Sequence, residues 1–269
     1  MVKNNQHTHD SNPVLRTENL AVGYTLKAKK KVVVSGITME FKKGELLGLV
    51  GINGSGKSTL LRSLSGLQEP LNGRVFLEGE TLDQISAERR SQQLSVVLTG
   101  QHISKNLSVV ELVALGRQPY TNWLGSMSKT DIRSINNALA ATELQGLKNE
   151  KCHTLSDGQL QRALIARALA QDTNLIILDE PTTHLDLHHK ASVLMLLRQI
   201  CKKTGTTILF STHDIELIIP LCDKMLVLHD GKCTMDAPQK LVKNGTFSRL
   251  FPEKIIGFDP ETSRFYLKK

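Results

Sequence analysis

The chain has 269 residues, with 34 Lys plus Arg against 26 Asp plus Glu and a formal net charge of +8. Apolar residues at 40% and charged residues at 22% suit a globular protein with a sizeable core, which excludes wholesale disorder. The longest near-apolar stretch, 206–222, is interrupted by Ser211, His213, Asp214 and Glu216, so no membrane-spanning helix is expected. Residues 1–13 are polar and lack an apolar signal core, which predicts a disordered tail. From 14 to 50 the pattern is strand-like. Val32, Val33, Val34, Ile37 and Met39 precede the polar turn Lys42-Lys43-Gly44, and the apolar run 46–50 predicts a buried strand. The lysines at 27, 29, 30 and 31 suit a solvated hairpin. After Thr59 a helical pattern runs through Leu60, Leu61, Leu64 and Leu67, and a further apolar strand is expected over 94–98. Helical periodicity over 107–150 is interrupted by a loop at 118–128 that holds Trp123. Helix 159–170, strand 175–178, helix 187–201, strand 207–210 and helix 215–221 then alternate in α/β fashion. The chain ends with a hairpin around Asp230-Gly231, a helix over 238–250 and a short strand over 264–267. Four scattered cysteines, Cys152, Cys201, Cys222 and Cys233, make neither a disulfide framework nor a CxxC metal site and are expected as reduced thiols.

Gly51-Ile52-Asn53-Gly54-Ser55-Gly56-Lys57-Ser58 fits the phosphate-binding loop G-x-x-x-x-G-K-[ST], in the required place between a strand and a helix. Glycines let successive backbone N–H groups turn inward toward phosphate oxygens, and the helix N-terminus adds its positive dipole end. Lys57 is placed to reach the β and γ phosphates and the Ser58 hydroxyl to ligate Mg²⁺. The alternative is a glycine-rich turn that matches by chance. Strand 175–178 ends in Asp179 and Glu180. Asp179 suits a Mg²⁺ shell of hard oxygen ligands, and Glu180 suits a general base on an attacking water; a solvated strand end is the bland alternative. His184, Asp186, His188 and His189 lie close in sequence, but without a Cys partner a metal site there is disfavoured.

With Leu155-Ser156-Asp157-Gly158-Gln159 ahead of Asp179, the sequence resembles the ATP-binding cassette (ABC) family over residues 14–240. The resemblance implies ATP and Mg²⁺ as cofactors and a head-to-tail homodimer in which Ser156, Gly158 and Gln159 face the nucleotide held by the other subunit. The commonest family pattern has Gly where this chain has Asp157, which is expected to point away from nucleotide. Gln101 matches the glutamine that touches Mg²⁺ and links to the helical subdomain, with Gly100 in place of the usual Pro. His213 resembles the switch histidine at the γ-phosphate, and Asp186 the loop that communicates across the dimer. Tyr24 resembles the aromatic that stacks on adenine, with core packing as the alternative. Within the loop, Gly51, Asn53, Gly54, Ser55, Gly56, Lys57, Ser58 and Thr59 are implied to bind nucleotide.

The implied fold is α/β: a P-loop NTPase, RecA-like core with an antiparallel β subdomain and an inserted α-helical subdomain at about 102–165, followed by a C-terminal appendage over 241–269. The implied function is the ATP-hydrolysing subunit of a transporter, peripheral on the cytoplasmic face of the inner membrane and working beneath separate transmembrane permease subunits. The stretch 110–120 looks like importers of iron chelates (iron-siderophore, haem) or cobalamin, which adds a substrate-binding protein as an indirect partner. A soluble ABC ATPase, for instance in iron–sulfur assembly, and a P-loop kinase or nucleotide-binding module are the rival classes. The charge divides unevenly: residues 1–43 carry +5, 44–230 carry −1 and 231–269 carry +4. A neutral centre argues against nucleic acid as the partner, and basic ends suit an anionic membrane surface.

Overall fold

The computed structural model describes residues 12–26, 29–100, 104, 106–121, 125–251 and 255–268. Most of the tail expected over 1–13, Gln101 and Trp123 lie outside these residues. Strands β1 (Leu15–Leu26) and β2 (Lys29–Phe41) form a long antiparallel pair, and β3 (Leu46–Gly51) leads into α1 (Lys57–Leu64). Next come β4 (Asn72–Leu77), β5 (Glu80–Thr81), α2 (Ala87–Gln93) and β6 (Leu94–Val97). Three helices follow, α3 (Val109–Ala114), α4 (Lys129–Ala141) and α5 (Asp157–Ala170). Then β7 (Leu175–Leu178), α6 (Leu187–Thr204), β8 (Thr207–Ser211) and α7 (Ile215–Ile218) alternate. The chain closes with β9 (Lys224–His229), β10 (Lys232–Asp236), α8 (Pro238–Lys243), β11 (Ile256–Asp259) and β12 (Arg264–Leu267).

A six-stranded sheet runs β10-β9-β3-β8-β7-β6, parallel except for the edge strand β10. Its strands β3, β7 and β8 are buried throughout, which is why their sequences are mainly apolar without alternation, β8 keeping buried hydroxyls only at its ends, Thr207 and Ser211. Leu47, Leu49, Leu175, Ile177 and Leu209 face one side, where α1 and the four-stranded antiparallel sheet β2-β1-β4-β5 pack. Leu46, Val50, Ile176, Leu178, Ile208 and Phe210 face the other, with α5, α6 and the C-terminal segment. The period-2 alternation of a strand thus gives two cores from one sheet.

Helices α3, α4 and α5 pack on one another, and each begins with a reciprocal capping box: Ser108 with Glu111, Ser128 with Asp131 and Ser156 with Gln159. Arg117 is buried in the 3-10 turn Leu115–Tyr120 that follows α3. Its Nε–H donates to Asp131 Oδ1 at 2.8 Å and its Nη1–H to the Ala170 carbonyl at 2.8 Å, while the guanidinium lies 3.9 Å from the centre of the Tyr120 ring. One side chain therefore ties the turn to α4 and to the end of α5.

Several elements end earlier than their periodicity predicts. The helix expected through Leu67 stops at Leu64: Gly66, at φ +69°, turns the chain, the Leu67 N–H returns to the Arg62 carbonyl at 2.9 Å, and Leu67 is exposed. The helix expected over 215–221 stops at Ile218, short of Pro220. The helix expected over 238–250 breaks after Lys243 at Asn244-Gly245 and resumes as a 3-10 turn, Phe247–Arg249. Residues 241–269, expected as an appendage, join the core through Leu241, Phe247, Leu250 and Phe258. There β11 pairs with β12, a hairpin of which only the second strand was expected. All four cysteines are free. Burial pushes the thiols of Cys201 and Cys233 up to about 12 and that of Cys222 higher still.

Candidate nucleotide site

The glycine-rich loop leaves the C-terminal end of β3, in mid-sheet, and enters α1. Gly56 caps α1 at φ +102°, and a side chain there would strike Val33 Cγ1 at 2.5 Å, so the position requires glycine. A Cβ on Gly51 would lie 2.5 Å from Ser55 Oγ and 2.8 Å from the Leu228 carbonyl, whereas above Gly54 the space is open. The Lys57 ammonium folds back over this loop and donates to the carbonyls of Gly51 at 3.0 Å and Ile52 at 3.5 Å. Burial pulls its pKa below the usual lysine value, against the opposing pull of the Glu180 and Asp179 carboxylates.

Strand β8 lies beside β3 and β7 beside β8, all parallel, so their C-terminal ends bring Asp179, Glu180 and His213 to the same edge of the sheet. Asp179 is buried and accepts from the hydroxyls of Ser211 at 2.7 Å, Ser58 at 3.4 Å and Thr99 at 3.4 Å. Glu180 is held in the left-handed region at φ +49°, with its N–H bonded to Ser211 Oγ at 2.8 Å. Its carboxylate accepts from the Thr183 hydroxyl at 3.0 Å and meets His213 Nε2 at 2.7 Å. A recess of about 500 Å³ is lined by Tyr24, Asn53, Gly54, Gly56, Lys57, Ser58, Thr59 and Glu180, among others. Tyr24 is exposed at this recess and not packed in the core; its hydroxyl lies 2.5 Å from Thr59 Oγ1.

The residues present fit a nucleotide phosphate and a hard cation. Ser55 Oγ is buried in the loop without a hydrogen-bond partner, and open space lies over Gly54. Ser58 Oγ and Asp179 Oδ1 form an all-oxygen pair of the kind Mg²⁺ prefers.

Ser156 and Gln159 lie at the start of α5, engaged in capping it: the Gln159 N–H donates to Ser156 Oγ at 3.3 Å, and the Ser156 N–H to Gln159 Oε1 at 2.9 Å. Gly158 is buried with the His189 ring against it, where a Cβ would come within 2.8 Å. Asp157 is exposed in the first turn. Asp186 caps α6 by accepting from the His189 N–H at 2.8 Å, a bond that holds its carboxyl below the usual range. Thr99, Thr183 and Ser211, which hold the two acids in place, were not anticipated; a hydroxyl at a strand end has no motif of its own.

The ABC transporter family pattern matches residues 34–183. The petrobactin import ATP-binding protein FpuD of Bacillus anthracis is 36% identical over 86% of this chain and 85% of its own length. A solved structure described as a metal-chelate type ABC transporter in an inward-facing conformation superposes with a TM-score of 0.77 at 26% identity, covering 95% of this chain and 96% of the other. A dimeric ATP-binding cassette in a post-hydrolysis state, bound to ADP and Pi, superposes with a TM-score of 0.71 at 26% identity over 83% and 98%. Together with the loop, the strand-end acids and the histidine beside them, these matches establish that the chain belongs to the ABC transporter family and is one of its ATP-binding, ATP-hydrolysing members.

Proposed function

We propose that this chain powers import of a metal chelate through separate permease subunits, working as a head-to-tail homodimer peripheral to the membrane. The observation that carries the reading is the convergence of Lys57, Ser58, Asp179, Glu180 and His213 at the adjacent ends of β3, β7 and β8. Lys57 and the loop N–H groups hold the β and γ phosphates, with Gly51, Asn53, Gly54, Ser55 and Gly56 shaping the cradle and Thr59 continuing it into α1. Tyr24 presents its exposed ring to the adenine. Ser58 and Asp179 hold Mg²⁺, with Gln101 as a further ligand by family resemblance; bound there, the ion neutralises charge on the phosphates. Glu180 accepts the proton of the attacking water, and His213, bonded to it, steadies the carboxylate and contacts the γ-phosphate. Ser156, Gly158 and Gln159 complete the site of the second subunit, a role supported by the exposure of Ser156 at the start of α5, with Gln159 half-buried and Gly158 buried beside it.

No helix among the described residues is long and apolar enough to cross a membrane, in keeping with a separate permease. The substrate class is supported by the petrobactin-import relative and the metal-chelate transporter structure. Co-purification from membranes followed by ATPase assay tests the reading: a multi-span permease should accompany the chain, and a metal chelate with its binding protein should stimulate hydrolysis. Lys57→Ala should abolish it. Turnover intact in Lys57→Ala, or a soluble partner in place of a permease, would overturn the proposal.

A further inference from the structure

Helix α7 begins two residues after His213 and is only four residues long, too short to hold its own position. Asp214 occupies its N-cap without a side-chain capping bond. That carboxylate is turned to Lys190 Nζ at 2.8 Å and to the hydroxyls of Thr182 and Thr212 at 3.4 Å each. The His213 ring is exposed, and the bond to Glu180 is the hydrogen bond its side chain makes among the described residues. Where that ring sits therefore depends on what fixes the backbone on either side of it.

The C-terminal hairpin reaches this segment. Glu216, in the first turn of α7, accepts at Oε1 from the backbone N–H of Phe265 in β12, at 2.7 Å and across 49 residues of sequence. A two-stranded hairpin is marginal by itself, but this one is anchored. Phe258 is buried in the main core, and ring contacts run from Phe247 to Phe258 at 5.3 Å, from Phe258 to Phe265 at 4.9 Å and from Phe265 to Phe251 at 5.2 Å. Between the hairpin and α7 lies a groove of about 380 Å³, with His213, Glu216 and Leu217 on one wall and Phe251, Ile256 and Phe265 on the other. The Glu216 bond spans that groove, so among the described residues a fixed body grips the switch segment through one polar contact.

We propose that the hairpin is a brace for the switch segment and that Glu216 is a positioning residue for ATP hydrolysis, acting on His213 through α7. This rests on the assignment of His213 to the γ-phosphate. Nucleotide is gripped by the loop between β3 and α1, and among the described residues no hydrogen bond joins the hairpin to that loop. Loosening the brace therefore lowers the rate of the chemical step and leaves binding alone. An acceptor oxygen is what the Phe265 N–H requires, and a negative charge is not.

The test compares Glu216→Ala with Glu216→Gln in the full chain. Loss of one hydrogen bond corresponds to a fall in kcat of about threefold to tenfold. The alanine variant should show that fall with KM for ATP, and the affinity for a non-hydrolysable ATP analogue, unchanged. Glutamine, which keeps the acceptor, should restore kcat. Wild-type kcat in the alanine variant, a shift in KM instead of kcat, or failure of glutamine to rescue would each overturn the brace; so would a lowered melting temperature with kcat intact, the mark of a mere cap on the fold. His213→Ala run alongside separates the two layers. If it keeps full activity the assignment of His213 fails, whereas if it loses activity and Glu216→Ala does not, only the brace fails.

Discussion

Asp179 and Glu180 are neighbours in sequence with different surroundings. Asp179 is buried under three hydroxyls, whereas Glu180 stands in the left-handed region with its carboxylate shared between Thr183 and His213. That difference suits one to a cation and the other to a proton. Glu180→Gln keeps the size and removes the base, so it should bind ATP without turning it over and should persist as an ATP-bound dimer; a variant that elutes as a monomer in ATP counts against Glu180 as base. The loop was legible from spacing alone, because its backbone is itself the ligand and must be contiguous. The hydroxyl partners of the acids were not: Thr99 and Ser211 come from separate segments that only the parallel order of β6, β7 and β8 assembles, and Thr183, three residues after Glu180, carries no motif of its own. Strain at Glu180 is equally silent in sequence, because a glutamate carries none of the preference for positive φ by which Gly, Asn or Asp signals such a position.

Among the elements, the three-helix unit depends on the buried pair Arg117 and Asp131, both side chains about 4% exposed. Truncating one partner leaves a buried charge unmatched, so Arg117→Ala should cost about 3–5 kcal/mol in urea unfolding. The Ser128 hydroxyl, and then Arg117, hold the Asp131 carboxyl below its usual pKa. Stability from a lowered carboxylate is fully present above the unfolded-state value and is lost as pH falls toward the folded one. The chain should accordingly lose stability as pH drops through and below about 4. Replacing both residues with apolar ones should make that part of the profile shallower but not flat, because carboxyls such as Asp223 are held low as well; an unchanged acid limb would place the titration elsewhere. The sequence showed a helical run here but not the pair, because Arg117 lies in a 3-10 turn where helical periodicity lapses. Likewise β4 alternates only weakly between buried and exposed positions, and β4, β5 and α2 were not foreseen between residues 68 and 93.

For the whole molecule, the composite-site model makes a mixing prediction. Ser156→Arg and Lys57→Ala chains are each expected to be inactive alone. Paired, they rebuild one site from the intact loop of the first and the intact α5 start of the second, so combining them should recover part of the hydrolysis rate. No recovery would weaken action across subunits. The fold's burial of sulfur has a practical consequence for watching such pairing. Cys152, Cys201 and Cys222 are buried, and the thiols of Cys201, Cys222 and Cys233 are held protonated well above neutral pH. Because the thiolate is the reacting form, the folded chain should react with a thiol reagent such as DTNB far more slowly than the urea-unfolded chain, where four groups titrate. Fast reaction in the folded state would refute this. A spin label or fluorophore on one cysteine newly placed at an exposed site away from the start of α5 would then report distances between subunits without the native sulfurs having to be removed first.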